Sequence, residues 1–139
     1  MTKKAAFATF LVLLLPACSL TTQVEPTAHP NRLNHIFVEH RLSDGRHIDE
    51  LIARELRSLG YDASAGPLTM MPDGTEAIVA YQDEWTFDFT TYLIELDVAV
   101  REVKSGNQIA VGRTFRPSFG ANNPATMVRQ VIDPIFKRK

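Results

Sequence analysis

Apolar and polar residues alternate most clearly along residues 92–101. Tyr92, Ile94, Leu96, Val98 and Val100 hold one parity, and Glu95, Asp97, Ala99 and Arg101 hold the other. A period of two sends successive side chains to opposite faces of a sheet, so this run reads as a strand with one buried and one mostly wet face. Lys104-Ser105-Gly106-Asn107 supplies a hairpin turn, and residues 108–116 return as the last strand. Residues 76–82 are rich in Ile, Val and Tyr and predict a strand that leads into Asp83-Glu84-Trp85-Thr86-Phe87-Asp88. Residues 34–42 read as a first strand, with Ile36, Val38 and His40 opposite His35, Phe37, Glu39 and Arg41; a short one is expected at 61–65.

The period changes to 3.6 in two places. From His47, the residues Ile48, Leu51, Ile52, Leu56 and Leu59 fall on one helical face, with Asp49, Glu50, Arg54, Glu55 and Arg57 opposite. Ser43-Asp44-Gly45 offers a turn and an N-cap before this helix, and Gly60 a C-cap after it. A second helix starts at Asn123 as cap and Pro124 as first residue. Its inward stripe is Met127 or Val128, then Val131, Ile132, Ile135 and Phe136, and Pro134 should bend its last turns. The order predicts an α+β domain: a mostly antiparallel sheet of four or five strands with two amphipathic helices packed on one face.

The first residues belong to a different pattern. Lys3 and Lys4 precede an apolar run of about 11 residues that is too short to span a bilayer, which takes about 20. Leu15-Pro16-Ala17-Cys18 follows, with a small residue before the only cysteine of the chain. A lone cysteine in an exported protein has no intramolecular disulfide partner, so modification is the reading that explains it. Residues 1–17 are therefore expected to be a signal peptide, 18–33 a flexible Pro- and Thr-containing tether headed by the cysteine, and 34–139 a single domain.

The four-residue motif resembles the lipobox of bacterial lipoproteins. The resemblance implies that Cys18 is diacylglycerated and then N-acylated after cleavage, which anchors the chain without a membrane-spanning helix. Ser19, at the sorting position of that class, implies the outer membrane, with the domain facing the periplasm. The later pattern adds a helix ending in Leu59-Gly60-Tyr61 and the run Tyr81-Gln82-Asp83-Glu84-Trp85 before a long hairpin. In element order this resembles small proteobacterial envelope lipoproteins with a domain like the N-terminal domain of TolB and the curli-secretion lipoproteins. That class implies binding or scaffolding in the cell envelope, with no catalytic residues to carry over.

Composition narrows the chemistry. With 45% hydrophobic and 22% charged residues the chain is of ordinary globular make-up. Lys3 and Lys4 lie in the leader, leaving 13 of the 15 basic side chains against all 16 acidic ones. A mildly acidic body has no footprint for nucleic acid, and the basic run Lys137-Arg138-Lys139 reads as a solvated helix end. Among His29, His35, His40 and His47 no pair has metal-site spacing on one element, so neither a metal nor a cofactor is expected. Asp83, Glu84 and Asp88 would have to converge in a pocket to serve as an acid–base pair of a hydrolase; no nucleophile elbow, phosphate loop or His-Glu-x-x-His helix accompanies them. The expectation is a non-catalytic protein that binds a membrane through its lipid and an envelope protein through Tyr81, Asp83, Trp85 and Phe87, a cluster whose aromatics belong either to the core or to a recognition patch. An auxiliary subunit of envelope transport or lipid trafficking is the alternative, and it would need an apolar groove between helices and sheet.

Overall fold

The computed structural model describes residues 21–26, 30–116 and 123–138. Six strands form one sheet: β1 (Thr21–Pro26), β2 (His35–Glu39), β3 (Asp62–Gly66), β4 (Ala77–Asp88), β5 (Thr90–Glu102) and β6 (Gln108–Phe115). The helices are α1 (Ile48–Ser58), between β2 and β3, and α2 (Pro124–Phe136), after β6. The strand order is β1-β6-β5-β4-β2-β3, antiparallel from β1 to β4 and parallel across β4, β2 and β3. The α+β class and the mostly antiparallel sheet are as the pattern predicts.

Three expectations need correction. The sheet has six strands because residues 21–26, read as tether, pair along their whole length with β6. Thr, Gln and Val in this stretch suit an edge strand, and Pro26 ends it, where a missing N–H is tolerated. Two residues, Ser19 and Leu20, then separate Cys18 from the start of β1 in the sequence. The second correction concerns β2, which is buried on both sides at Ile36, Phe37 and Val38. Ile36 and Val38 face the helices, whereas Phe37, on the other face, lies beside Gly66 and the Leu68–Met70 turn that follows β3, so neither face is left wet. The third lies in β5. Ile94 is skipped between the pairs Glu84↔Glu95 and Trp85↔Leu93, so the strand bulges there and its parity reverses. Leu96, Val98 and Val100 face the helices as expected, but on the far side of the bulge Leu93 takes that role in place of Ile94 and Tyr92.

One core holds the helices to the sheet. Ile48, Ile52 and Leu56 of α1 and Met127, Val131, Ile132 and Phe136 of α2 are fully buried against Val38, Val79, Leu96 and Val100. The helix–sheet interface is thereby filled, and the groove a lipid-carrying subunit would need is occupied by side chains. α1 ends as predicted: the N–H of Tyr61 donates to the Leu56 carbonyl and that of Gly60 to Arg57, with Gly60 at φ 92°. The approach of α2 to the sheet is set by Gly112, where an added Cβ would stand 2.7 Å from Val131 Cγ2.

Candidate functional site

The direction of the strands brings several unusual residues to one end of the sheet. β4 runs toward this end and β5 returns from it, so the β4–β5 turn is its tip. Parallel β2 delivers residues 40–47 and the first turn of α1 there, and Thr21, opposite Phe115 and thus in the row of Glu95, starts β1 from the same side.

At the tip, Asp88 pairs with Thr90 and leaves Phe89 alone in the turn at φ 59°. That left-handed conformation favours Gly or Asn and costs a bulky residue on the order of 1 kcal/mol. Phe89 is 94% exposed, Phe87 75%, and Leu42, in the turn after β2, 99%. An apolar residue that is strained and solvated together gains nothing for folding, which makes the tip a candidate contact surface.

Behind the tip lies a polar network. Asp83 accepts from Arg41 Nη1 at 2.8 Å and from Trp85 Nε1 at 2.6 Å, and the Arg46 guanidinium lies 4.1 Å from the centre of the Trp85 ring. Asp83, Trp85 and Arg46, with Ser43, Asp44 and Gly45, border an open concavity of about 410 Å³. Asp44 is buried; its carboxylate accepts from the N–H groups of Arg46 and Ile48, both at 2.7 Å, and from the Tyr81 hydroxyl at 2.6 Å. Burial opposes its ionisation, but the Tyr81 hydroxyl and the backbone donors of Arg46, Ile48 and Asp49 outweigh that and hold the carboxyl below the usual range. Burial, with Asp44 beside it, pushes the Tyr81 phenol far above its ordinary value. Asp44 thus caps α1 from four residues away, while His47, at the cap position itself, makes no side-chain cap bond. His40 Nδ1 lies 2.9 Å from Asp49 Oδ2, and the His40 and His47 rings stack at 6.4 Å.

The structure divides the expected patch. Tyr81 is a core residue with a polar tip, Asp83 is half-buried in the network, Trp85 packs its ring on the core edge, and only Phe87 is free. The three carboxylates do not converge: Asp83 is tied to Arg41 and Trp85, whereas Glu84 and Asp88 are exposed. Cys18 lies outside the described residues. His35, paired with Asp62 at 3.0 Å, and His40 with Asp49 do stand apart, as their parity implies. Arg138 is not simply solvated, since it donates to Asn34 Oδ1 at 2.6 Å and lies over the Tyr61 ring. Sequence reasoning missed Arg41, Asp44, Arg46 and Asp49 as site residues. Arg41 and Asp83 meet across 42 positions, and no local pattern reports such a pairing.

A second feature is the helix-free face of β4, β5 and β6. Ala80, Ala99 and Val111 floor a shallow depression of about 480 Å³ rimmed by Gln82, Asp97 and Arg113. Arg113 bridges Glu95 and Asp97 on that rim.

The fold is that of an α+β domain with parallel and antiparallel segments in one sheet and both helices on one face. Its sequence matches no family model and no curated protein. Solved structures share the architecture. A point variant of the PelC dodecamer from Paraburkholderia phytofirmans aligns with a TM-score of 0.65 at 15% identity over 85% of this chain and 99% of that one. Another crystal form of the PelC dodecamer gives 0.62 at 14% over 86% and 99%. TolB from Acinetobacter baumannii gives 0.52 at 13%, over 83% of this chain and 30% of TolB. The likeness is one of fold, and for TolB it extends to part of that protein, as the resemblance in element order suggests.

Proposed function

We propose that this chain is a non-catalytic scaffolding lipoprotein of the bacterial envelope, held through Cys18 on the periplasmic side of the outer membrane with the tip of the β4–β5 hairpin turned into the bilayer surface. One observation carries the reading: Leu42, Phe87 and Phe89, the most exposed large apolar side chains of the described residues, stand at the end of the sheet from which β1 leads back to Cys18. The lengths agree. From the row of Thr21 and Glu95 to Phe89 is six residues, about 20 Å along a strand. The three residues from Thr21 to Cys18 reach about 10 Å at most. A lipid on Cys18 would thus keep the hairpin tip at or within the interface, where aromatic side chains partition well. Among the described residues no helix is long and apolar enough to cross a membrane, so attachment of this domain by lipid and tip is self-consistent.

The surface left for a protein partner is the helix-free face of β4–β6 with its apolar floor, which lies off the membrane end. That the PelC neighbours are dodecamers supports a second copy of the chain as one partner, and light scattering of the detergent-solubilised protein would register it.

The membrane reading is tested by placing a reporter at the tip. A Phe89→Trp variant of the lipidated chain, reconstituted into vesicles containing brominated lipid, should be quenched much more strongly than wild type, whose single Trp85 is held against the core edge. Equal quenching of the two would remove the hairpin from the bilayer and with it this orientation.

A further inference from the structure

We propose that His40, Asp44 and Asp49 form a binding site for a divalent transition metal of the zinc type, which would pin the end of β2 to the start of α1. The three residues come from the end of β2, the following turn and the first turn of α1, and one ligand atom from each lies within 4.8 Å of the others. Asp44 and Asp49 are only 5% and 4% exposed.

The observation that points to a ligand is Asp49 Oδ1. It is buried and has no hydrogen-bond partner, although the other oxygen of the same carboxylate faces His40. A buried acceptor left without a donor costs on the order of 1–3 kcal/mol, and more when charged. Native structures rarely retain one without water, an ion or a function to account for it. Among the described residues no Lys or Arg pairs with Asp44 or Asp49; the facing groups are His40, the Tyr81 hydroxyl, backbone N–H groups and His47, which stacks on His40. Among the described residues the potential cations facing these two buried carboxylates are thus histidines, His40 in contact with Asp49 and His47 stacked on it.

The donor set selects the ion. An imidazole and two carboxylates suit zinc and its neighbours, whereas calcium takes six to eight oxygens and magnesium retains most of its water. Ligands about 2.0–2.2 Å from zinc stand about 3.4 Å apart in a tetrahedron. The His40–Asp49 separation of 2.9 Å is already near that, and a movement of up to about 1.4 Å by the Asp44 carboxylate brings the spread of 4.8 Å to the same spacing. Asp44 Oδ1 accepts the Arg46 N–H, and a carboxylate oxygen has two lone pairs to offer. When the metal takes His40 Nδ1, the neutral imidazole carries its one proton on Nε2, and the contact between Nδ1 and Asp49 Oδ2 is exchanged for a bond from each to the metal. The His40 side chain is 24% exposed, so the fourth position would be open to water. This site does not depend on the lipid anchor or on the orientation of the tip.

The test is a calorimetric titration of the detergent-solubilised full chain, freed of metal by chelation, with Zn²⁺ at neutral pH. One ion per chain should bind, and His40→Gln and Asp49→Asn should each weaken binding at least about tenfold. His35→Gln, at the separate exposed pair with Asp62, should leave it unchanged. Saturating Zn²⁺ should also raise the melting temperature of wild type and not of His40→Gln. The proposal is overturned if wild type takes up no stoichiometric zinc, if binding survives both substitutions, if it is lost with His35→Gln, or if Ca²⁺ binds as tightly. Should Asp49→Asn fail to fold, the more exposed His40 decides the matter.

Discussion

Leu96 and Asp97 are neighbours in the chain and opposite in environment. Leu96 is fully buried beneath the helices, whereas Asp97 sits half-exposed on the rim of the open face, 3.3 Å from Arg113. Leu96→Ala should cost about 2–5 kcal/mol by leaving a cavity. Asp97→Ala should stay within about 0.5 kcal/mol, because it ends only an exposed ion pair. Urea midpoints compare the two, and a larger loss for Asp97→Ala would contradict the register of β5. Gly112 makes the reverse point. Its substitution by Ala drives a methyl against Val131 Cγ2 and Ile135 Cδ1, and a β-branched side chain in a helix has essentially one χ1 well in which to yield. The expected loss is about 1–3 kcal/mol, read from the same denaturation curves; an unchanged midpoint would mean that α2 lifts freely from the sheet.

The contact between α1 and α2 contains a pair of acids. Burial, and then the hydrogen bond and charge of Asp133, push the Glu55 carboxyl above its usual value, with Arg129, at 3.7 Å, pulling the other way. An acid whose pKa is raised on folding binds protons more readily in the folded state. Its unfavourable ionisation is therefore absent at low pH and destabilises as pH rises from the unfolded value of 4.5 through the raised one. Glu55→Gln should accordingly stabilise the domain at pH 7 by a few tenths of a kcal/mol, a surface-sized effect, with the gain vanishing below about pH 4. Thermal melts at the two pH values check both halves; a variant less stable at pH 7 would mean that the Arg129 ion pair outweighs the repulsion.

For the molecule as a whole, anchor and domain are separable. Cys18 precedes the first described strand, and among the described residues the apolar core cluster begins at Ile36, with Leu33 packed against it. Cys18→Ser should therefore abolish fatty-acid incorporation and processing of the precursor while leaving the unfolding midpoint of the domain unchanged. Metabolic labelling and denaturation of the same two proteins measure the two halves. Equal incorporation in wild type and variant would dispose of the lipoprotein reading, including the orientation built on it.

Local physics was legible from the sequence. The helical stripes from Ile48 to Leu56 and from Met127 to Phe136, the Gly60 stop, the Asn123 cap and the hairpin between β5 and β6 each depend on residues within a few positions of one another, so period and cap chemistry suffice to find them. The lipobox likeness at Cys18 is similarly local. What the tertiary structure decided was partnership over distance. Whether residues 21–26 were tether or strand depended on the free edge of β6, and the two-sided burial of β2 on the helices over one face and the turn after β3 near the other. The bulge at Ile94 reversed a parity that alternation alone could not interrupt. The candidate site is of the same kind: Asp44 meets Tyr81, Arg41 meets Asp83 and His40 meets Asp49 only because β2, β4 and the start of α1 end at one edge of the sheet. The aromatic run was likewise divided by geometry, with Tyr81 and Trp85 still over the helices and Phe87 and Phe89 beyond them, where the hairpin outruns the core.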